Sequence, residues 1–462
     1  MKFRTKITAA VVCLLALLLA GCTAAPANPN TTAETAEATP APAVEEAEKT
    51  AAAPTLRELT NAADGRCYLQ SRIDETAQIY LTALDLTDGQ QRVLCAKPGC
   101  THTGPDCPAW LRADNSVQAR QLRILTDGAQ LYWTWETTGE GAPGTQPYSA
   151  VFTSGTEGAP APLVEWMNRA PDYCGVYQQD YACTDSHWFT DGENLWVFQR
   201  CEPKDETGQP CFPASLCRLV PNEDPNGPSY RAECVWRQDI GAYGQYLGLV
   251  EGKILFSRSL RADGTPARRD GDYENTCREL RLLSADGSCS PALQTDTYGV
   301  TRAAALLDGL WYTVPAGSDQ LQVTDLATGQ TRTVCNLPLA GDGEGIDLGP
   351  VYEGRLAVAI ARENREDGYV VQLDDGTLTP RTATWAKNGV TPRLPRLYAR
   401  AGDRCLLMVG TRDRMLTAMG PDGSTDTFDS PVFLWAVTDL DSWLDGDQDW
   451  QLCTILNPDG DL

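Results

Sequence analysis

The chain has 462 residues, 62 acidic against 38 basic side chains and a formal net charge of −24. So acidic a chain repels phosphate backbones, which argues against a nucleic-acid partner; with only two histidines, His102 and His187, a His-rich metal centre is excluded. Hydrophobic residues at 42% and 12 Trp can fill a core, and 40 Gly with 30 Pro predict many turns and few long helices.

Lys2, Arg4 and Lys6 precede an uncharged apolar run from Ile7 to Ala20, shorter than a spanning helix needs. It ends Leu19-Ala20-Gly21-Cys22. That string resembles the lipobox of bacterial lipoproteins. The resemblance implies that residues 1–21 are a signal peptide and that Cys22 is lipidated. It also implies an extracytoplasmic protein held on the membrane, most simply the outer face of a Gram-positive cell, by acyl chains such as palmitate. Residues 22–55 then read as the lipidated Cys and a disordered tether. This stretch is rich in Ala, Thr, Pro and Glu and has no aromatic residue, so it buries too little apolar area to offset its ordering entropy. As a flexible chain it reaches roughly 35 Å.

From residue 56 to 462 one phrase recurs, an acidic-Gly turn followed by an aromatic or aliphatic strand. It reads Asp64-Gly65, Asp127-Gly128, Asp191-Gly192, Glu251-Gly252, Asp308-Gly309, Glu353-Gly354 and, weakly, Ala401-Gly402. Acidic-Gly suits a tight hairpin, because Gly takes positive φ without steric cost. A second hairpin follows each phrase, as in Ile79 to Leu86 with turn Asp88-Gly89, or Leu321 to Leu326 with turn Thr328-Gly329. Two hairpins per period give four strands per period. The expected fold is all-β: a single β-propeller of about seven four-stranded blades, with six or eight also allowed. No βαβ alternation appears, which argues against a parallel α/β fold.

Phrases such as Gln130-Leu131-Tyr132-Trp133, followed by a Leu-Asp-Leu strand and a turn, resemble YWTD propellers of the low-density-lipoprotein-receptor type and TolB-like propellers. With its lipobox, the whole chain resembles the β-propeller lipoproteins of anaerobic Firmicutes. The likeness speaks to fold and little to activity, since propellers carry hydrolases, lyases, receptors and scaffolds. Unlike YWTD proteins, this chain is rich in Cys and lacks the full Tyr-Trp-Thr-Asp string.

The tightest group among 17 cysteines is Cys95, Cys100, His102 and Cys107. Three thiols and an imidazole at this spacing, with Pro98, Gly99, Gly104 and Pro105 as bends, can close a tetrahedral structural zinc site. A disulfide knot such as Cys100–Cys107 beside a bystander His102 is the other reading, and free or redox-active thiols a third. A similar Cys/His phrase belongs to the Firmicutes group, so the resemblance also implies this cluster. Elsewhere Cys217 with Cys234, Cys201 with Cys211, and Cys174 with Cys183 are disulfide candidates in an exported chain. Cys67 and Cys405 hold the same repeat position and read as buried thiols.

No catalytic set emerges. Asp185-Ser186-His187 reads as a turn with a histidine, since no Gly-x-Ser-x-Gly elbow exists. The acidic stretch from Asp439 to Asp449 and the loop Gly341 to Gly345 read as solvated loops, not Ca²⁺ sites. Arg261, Arg268 and Arg269 read as an exposed loop that could meet a carboxylate or anionic lipid. Trp133, Trp196 and Trp311 are expected in the core, and Trp110, Trp135 and Trp166 nearer loops. The expected function is binding of an extracellular ligand, whether glycan, peptide or partner protein. The alternatives are a hydrolase or lyase with carboxylates in the central channel, and an envelope scaffold.

Overall fold

The computed structural model describes residues 53–71, 79–104, 106–111, 122–136, 149–155, 183–202, 210–221, 223, 230–268, 276–297, 301–341, 344–385, 393–419 and 425–457. Cys22, Cys174, Trp166, Arg269 and the signal peptide lie outside them, as do the side chains of Cys183, Trp133 and Trp135.

Among the described residues, seven antiparallel sheets follow one another along the chain. After a two-residue strand β1 (Arg57–Glu58), blade one is β2 (Ala62–Ala63), β3 (Arg66–Ser71), β4 (Ile79–Asp85) and β5 (Gln91–Val93), with β6 (Trp110–Leu111) also on β4. The second sheet has three strands, β7 (Leu122–Thr126), β8 (Gln130–Glu136) and β9 (Ser149–Gly155). Blade three is β10 (Cys183–Thr190), β11 (Leu195–Cys201), β12 (Pro213–Pro221) and β13 (Tyr230–Asp239). Blade four is β14 (Tyr246–Val250), β15 (Lys253–Leu260), β16 (Cys277–Leu283) and β17 (Gln294–Thr297). Blade five is β18 (Thr301–Leu307), β19 (Leu310–Pro315), β20 (Gln320–Asp325) and β21 (Thr331–Asn336). Blade six is β22 (Gly345–Tyr352), β23 (Arg355–Ala361), β24 (Glu366–Gln372) and β25 (Leu378–Arg381). Blade seven is β26 (Arg396–Ala401), β27 (Arg404–Met419), β28 (Thr425–Asp439), helix α1 (Leu440–Asp445) and β29 (Gln451–Leu452). The protein is thus an all-β propeller in which, among the described residues, six blades show four strands and the second sheet shows three.

The acidic-Gly phrases make the inner hairpins by three different turns. In blades one, four, five and six both turn residues have positive φ, as at Asp64 (49°) with Gly65 (72°) and Glu251 (50°) with Gly252 (71°). That is the type I′ pattern matched to strand twist. In the second sheet and blade three, four-residue loops form instead. There Asp191 accepts from the N–H groups of Glu193 and Asn194, and Asp127 from those of Ala129 and Gln130. In blade seven the turn slides by one, to Gly402 (63°) and Asp403.

Apolar layers between neighbouring sheets hold the ring together. Each neighbouring pair shares one cluster, for example Trp196, Phe198, Ile254 and Phe256 between blades three and four. Leu69, Leu84, Leu406 and Trp435 join blade seven to blade one. Burying one such side chain contributes ~1.5–3 kcal/mol. The seam between those two blades adds a bridge of Gln90 to Thr454 and a bond from Arg404 Nε to Leu86 O (2.9 Å). Trp196 and Trp311, expected in the core, are both 2% exposed.

The segment before blade one is a strap. Leu56 N donates to Gly252 O (3.0 Å) in blade four, β1 pairs β10 of blade three, and Thr60 bridges Thr126 in the second sheet. It therefore runs round the inner rim at the end that carries the inner-hairpin turns. The longer connections, such as the β27–β28 hairpin, leave the opposite end.

The acidic stretch after Asp439 corrects the expectation of a solvated hairpin loop. Leu440, Trp443 and Leu444 are buried at helical spacing, Asp439 caps α1 by accepting from Ser442 N (2.8 Å), and Gly446 (φ 76°) ends it. Asp441 and Asp445 pair with Arg355. Glu344, in the other acidic loop, pairs with Arg362, and Arg268 pairs with Asp239 at 3.0 Å. Among the described residues no helix is long and apolar enough to cross a membrane.

Candidate metal centre and strap cavity

The outer strand of blade one is interrupted. β5 pairs with Thr82 to Leu84 of β4 and β6 with Ile79 and Tyr80, Leu94 and Ala109 both bond the backbone of Leu81, and the described residues between those two leave the sheet as a loop. Gly99 (φ 71°), His102 (φ 54°) and Gly104 (φ 135°) bend that loop. Histidine is one of the few side chains that tolerates the left-handed region. The loop is pinned by Cys100 N to Lys97 O (3.2 Å), Cys107 N to Gly104 O (3.0 Å) and Lys97 Nζ to Asp106 O (2.9 Å).

These bends bring the four predicted ligands together. The donor atoms of Cys95, Cys100, His102 and Cys107 all lie within 4.8 Å of one another. His102 Nδ1 stands 3.3 Å from Cys107 Sγ. Bonds of about 2.3 Å to sulfur and 2.0–2.1 Å to nitrogen would need donor separations of roughly 3.5–3.8 Å, so a modest contraction completes a tetrahedron. The donor set of three thiols and an imidazole is one that zinc takes, and four protein ligands leave no open position for catalysis. The backbone N–H of His102 holds the Cys100 thiol below its ordinary range against the effect of burial, with Cys107 and Cys95 assisting. Burial pushes Cys107 up to about 12. A dication among the three sulfurs would reverse that rise, because it stabilises thiolate directly.

The loop is better packed than its composition suggests. Cys107 (4% exposed) and Ala109 (0%) belong to the apolar cluster between blade one and the second sheet, with Tyr80 and Ile124. The site therefore ties the interrupted strand onto that cluster.

The other cysteines are placed as follows. Cys217 and Cys234 are direct partners across the β12–β13 ladder, beside a bulge, and their thiols hydrogen-bond. Cys201 ends β11, where the ladder sets it opposite Cys183, while Cys211 is buried just before β12. Cys67 and Cys405 are both fully buried, in different clusters.

His187 corrects its reading as a turn residue: it lies within β10, on the inner edge of blade three. Its ring packs on Tyr246, centroids 3.9 Å apart, and its Nδ1 is 3.7 Å from Glu58 Oε1. The Tyr246 hydroxyl donates to Glu58 Oε2 at 2.8 Å. Glu58 belongs to the strap and also borders a cavity of about 440 Å³. The cavity walls come from the strap, from Tyr68 and Gln70 of blade one, from Arg123 of the second sheet and from Tyr398 of blade seven. Counting back from Gly192 would have placed His187 on a strand; nothing local marked the strap.

No family model matches the chain, and no curated protein matches it. Solved propellers do. The β-propeller domain of the trilobed protease from Pyrococcus furiosus aligns with a TM-score of 0.40 and 11% identity, over 88% of this chain and 99% of that one. Pyrococcus horikoshii acylaminoacyl peptidase gives 0.42 and 11%, over 87% of this chain and 53% of its own, so the chain spans about half of that enzyme. TolB from Acinetobacter baumannii gives 0.32 and 10%, over 84% and 81%. The fold assignment rests on the sheets themselves.

Proposed function

We propose that the protein is an extracytoplasmic lipoprotein, anchored to a membrane through Cys22, whose propeller binds an extracellular ligand at the cavity beside the strap. The Cys95, Cys100, His102 and Cys107 cluster serves as its structural zinc site. One observation carries the binding reading: a cavity of about 440 Å³, within the usual range for small-molecule sites, with polar and aromatic groups from three neighbouring sheets. The hydrolase alternative asks for paired carboxylates, and among the described residues lining this cavity Glu58 is the one carboxylate. The scaffold alternative is favoured by the β27–β28 hairpin, whose pairing continues from Thr411–Phe433 to Met419–Thr425.

Two measurements test the proposal. Cells fed an alkyne fatty acid should label the wild type and not Cys22→Ala, and the variant should leave the membrane fraction. Solubilised protein should show a saturable thermal shift with a member of a small-ligand panel, weakened by Tyr398→Ala. Labelling that persists in Cys22→Ala defeats the anchor, and a panel without any shift defeats the cavity.

A further inference from the structure

We propose that the cavity beside the strap takes a zwitterionic ligand, an α-amino acid or short peptide with an apolar side chain. This rests on the binding reading above and narrows it. Among the described lining residues the cavity has one fixed anion, Glu58, and one fixed cation, Arg123. Both are pinned to the same inner strand, β10. Arg123 Nη1 donates to Ser186 O (2.8 Å), and Glu58 faces His187 while accepting from Tyr246. These bonds use part of each group's capacity: a guanidinium has five N–H donors and a carboxylate about four acceptor sites. The remainder can meet a ligand carboxylate at Arg123 and a ligand ammonium at Glu58.

The rest of the wall fits the same ligand. Asn61 and Gln70 bring side-chain amides to the wall, and Leu59, Leu69, Ile124 and Leu125 supply its apolar part. A neutral ligand would displace water from both charges and return no charge-assisted bond for it, and a monoanion would match Arg123 alone. A ligand carrying both charges therefore matches the wall best.

The test is calorimetry on the full detergent-solubilised protein with leucine, leucyl-leucine, N-acetyl-leucine, leucinamide and cellobiose. Binding of leucine or its dipeptide is expected, weakened at least about tenfold when either terminus is blocked and by Glu58→Gln or Arg123→Gln. The tighter of the two zwitterions tells a free amino acid from a peptide. Each variant is first checked for an unchanged β-type circular-dichroism spectrum, and one folded variant suffices. Equal affinity for blocked and unblocked compounds, unchanged affinity in a folded variant, or binding of cellobiose alone overturns the zwitterion and leaves the cavity as a binding site. Silence from all five overturns the zwitterion, and the binding reading falls only if the wider panel is silent too.

Discussion

Blade one and blade three both gather sulfur near their outer strands, but on different backbones. In blade one the strand is cut, and a loop with positive φ at Gly99, His102 and Gly104 wraps its donors round a point. In blade three β12 and β13 run on as a ladder, and Cys217 simply faces Cys234. Directly opposed residues in such a ladder lie about 4.5–5.5 Å apart at Cα, which suits a two-atom bridge and cannot surround an ion. The regularity of the backbone decides which sulfur chemistry is open to each edge.

The largest effect expected from that contrast is on metal removal. Structural zinc supplies on the order of 10 kcal/mol, so if loop and propeller melt together, chelation should lower Tm by about 10 °C. Elemental analysis should find about one zinc per chain, lost in His102→Ala and retained in Cys217→Ser. Metal-free protein with Cys100 bonded to Cys107 by mass spectrometry would reverse the assignment for blade one.

Next in size is oxidation of the blade-three pair. A disulfide across this short loop is worth about 3 kcal/mol, read as a Tm that falls with dithiothreitol in the wild type and not in Cys217→Ser. A smaller, kinetic effect concerns the reduced pair. The hydrogen bond from Cys217 lowers the Cys234 thiol to about 7, against burial and with help from Arg237. Burial raises Cys277 and Cys335. At pH 7.5, iodoacetamide should therefore alkylate Cys234 roughly tenfold faster than either. Equal rates would show that the two thiols are not in contact.

The smallest prediction is a control in blade seven, away from either sulfur group. The Ser442 N–H donates to Asp439 and holds its carboxyl below the usual range. A depressed folded pKa means that the contribution is present above the ordinary carboxylate pKa and is lost as pH falls through the folded value. Asp439→Ala should cost about 1 kcal/mol at pH 7 and flatten the acid limb of Tm against pH. Asp439→Asn, which caps without charge, should keep the neutral Tm and lose that slope. Neither should change zinc content.

How much of this could be read from the chain follows from how local each feature is. The inner hairpins and the Cys/His loop are written within a few residues, so Asp64-Gly65 and Cys95 to Cys107 announce themselves. Helix α1 is encoded locally as well, in Leu440, Trp443 and Leu444 at i, i+3 and i+4, but the run of Asp around them carries the opposite, solvent-facing signal. The strap and the cavity were not legible. Arg57 meets Thr190 and Glu58 meets Tyr246, contacts between residues far apart in sequence that no local pattern encodes.

That strap has a mechanical meaning. Chain leaving residue 55 pulls first on Leu56 against Gly252 and on β1 against β10, before any load reaches β2. If the chain is anchored through Cys22 as proposed, a tug would be shared by blade four, blade three and the second sheet before it reached the first blade. The same pull would bear on Glu58, the strap side chain that accepts from Tyr246 and borders the cavity.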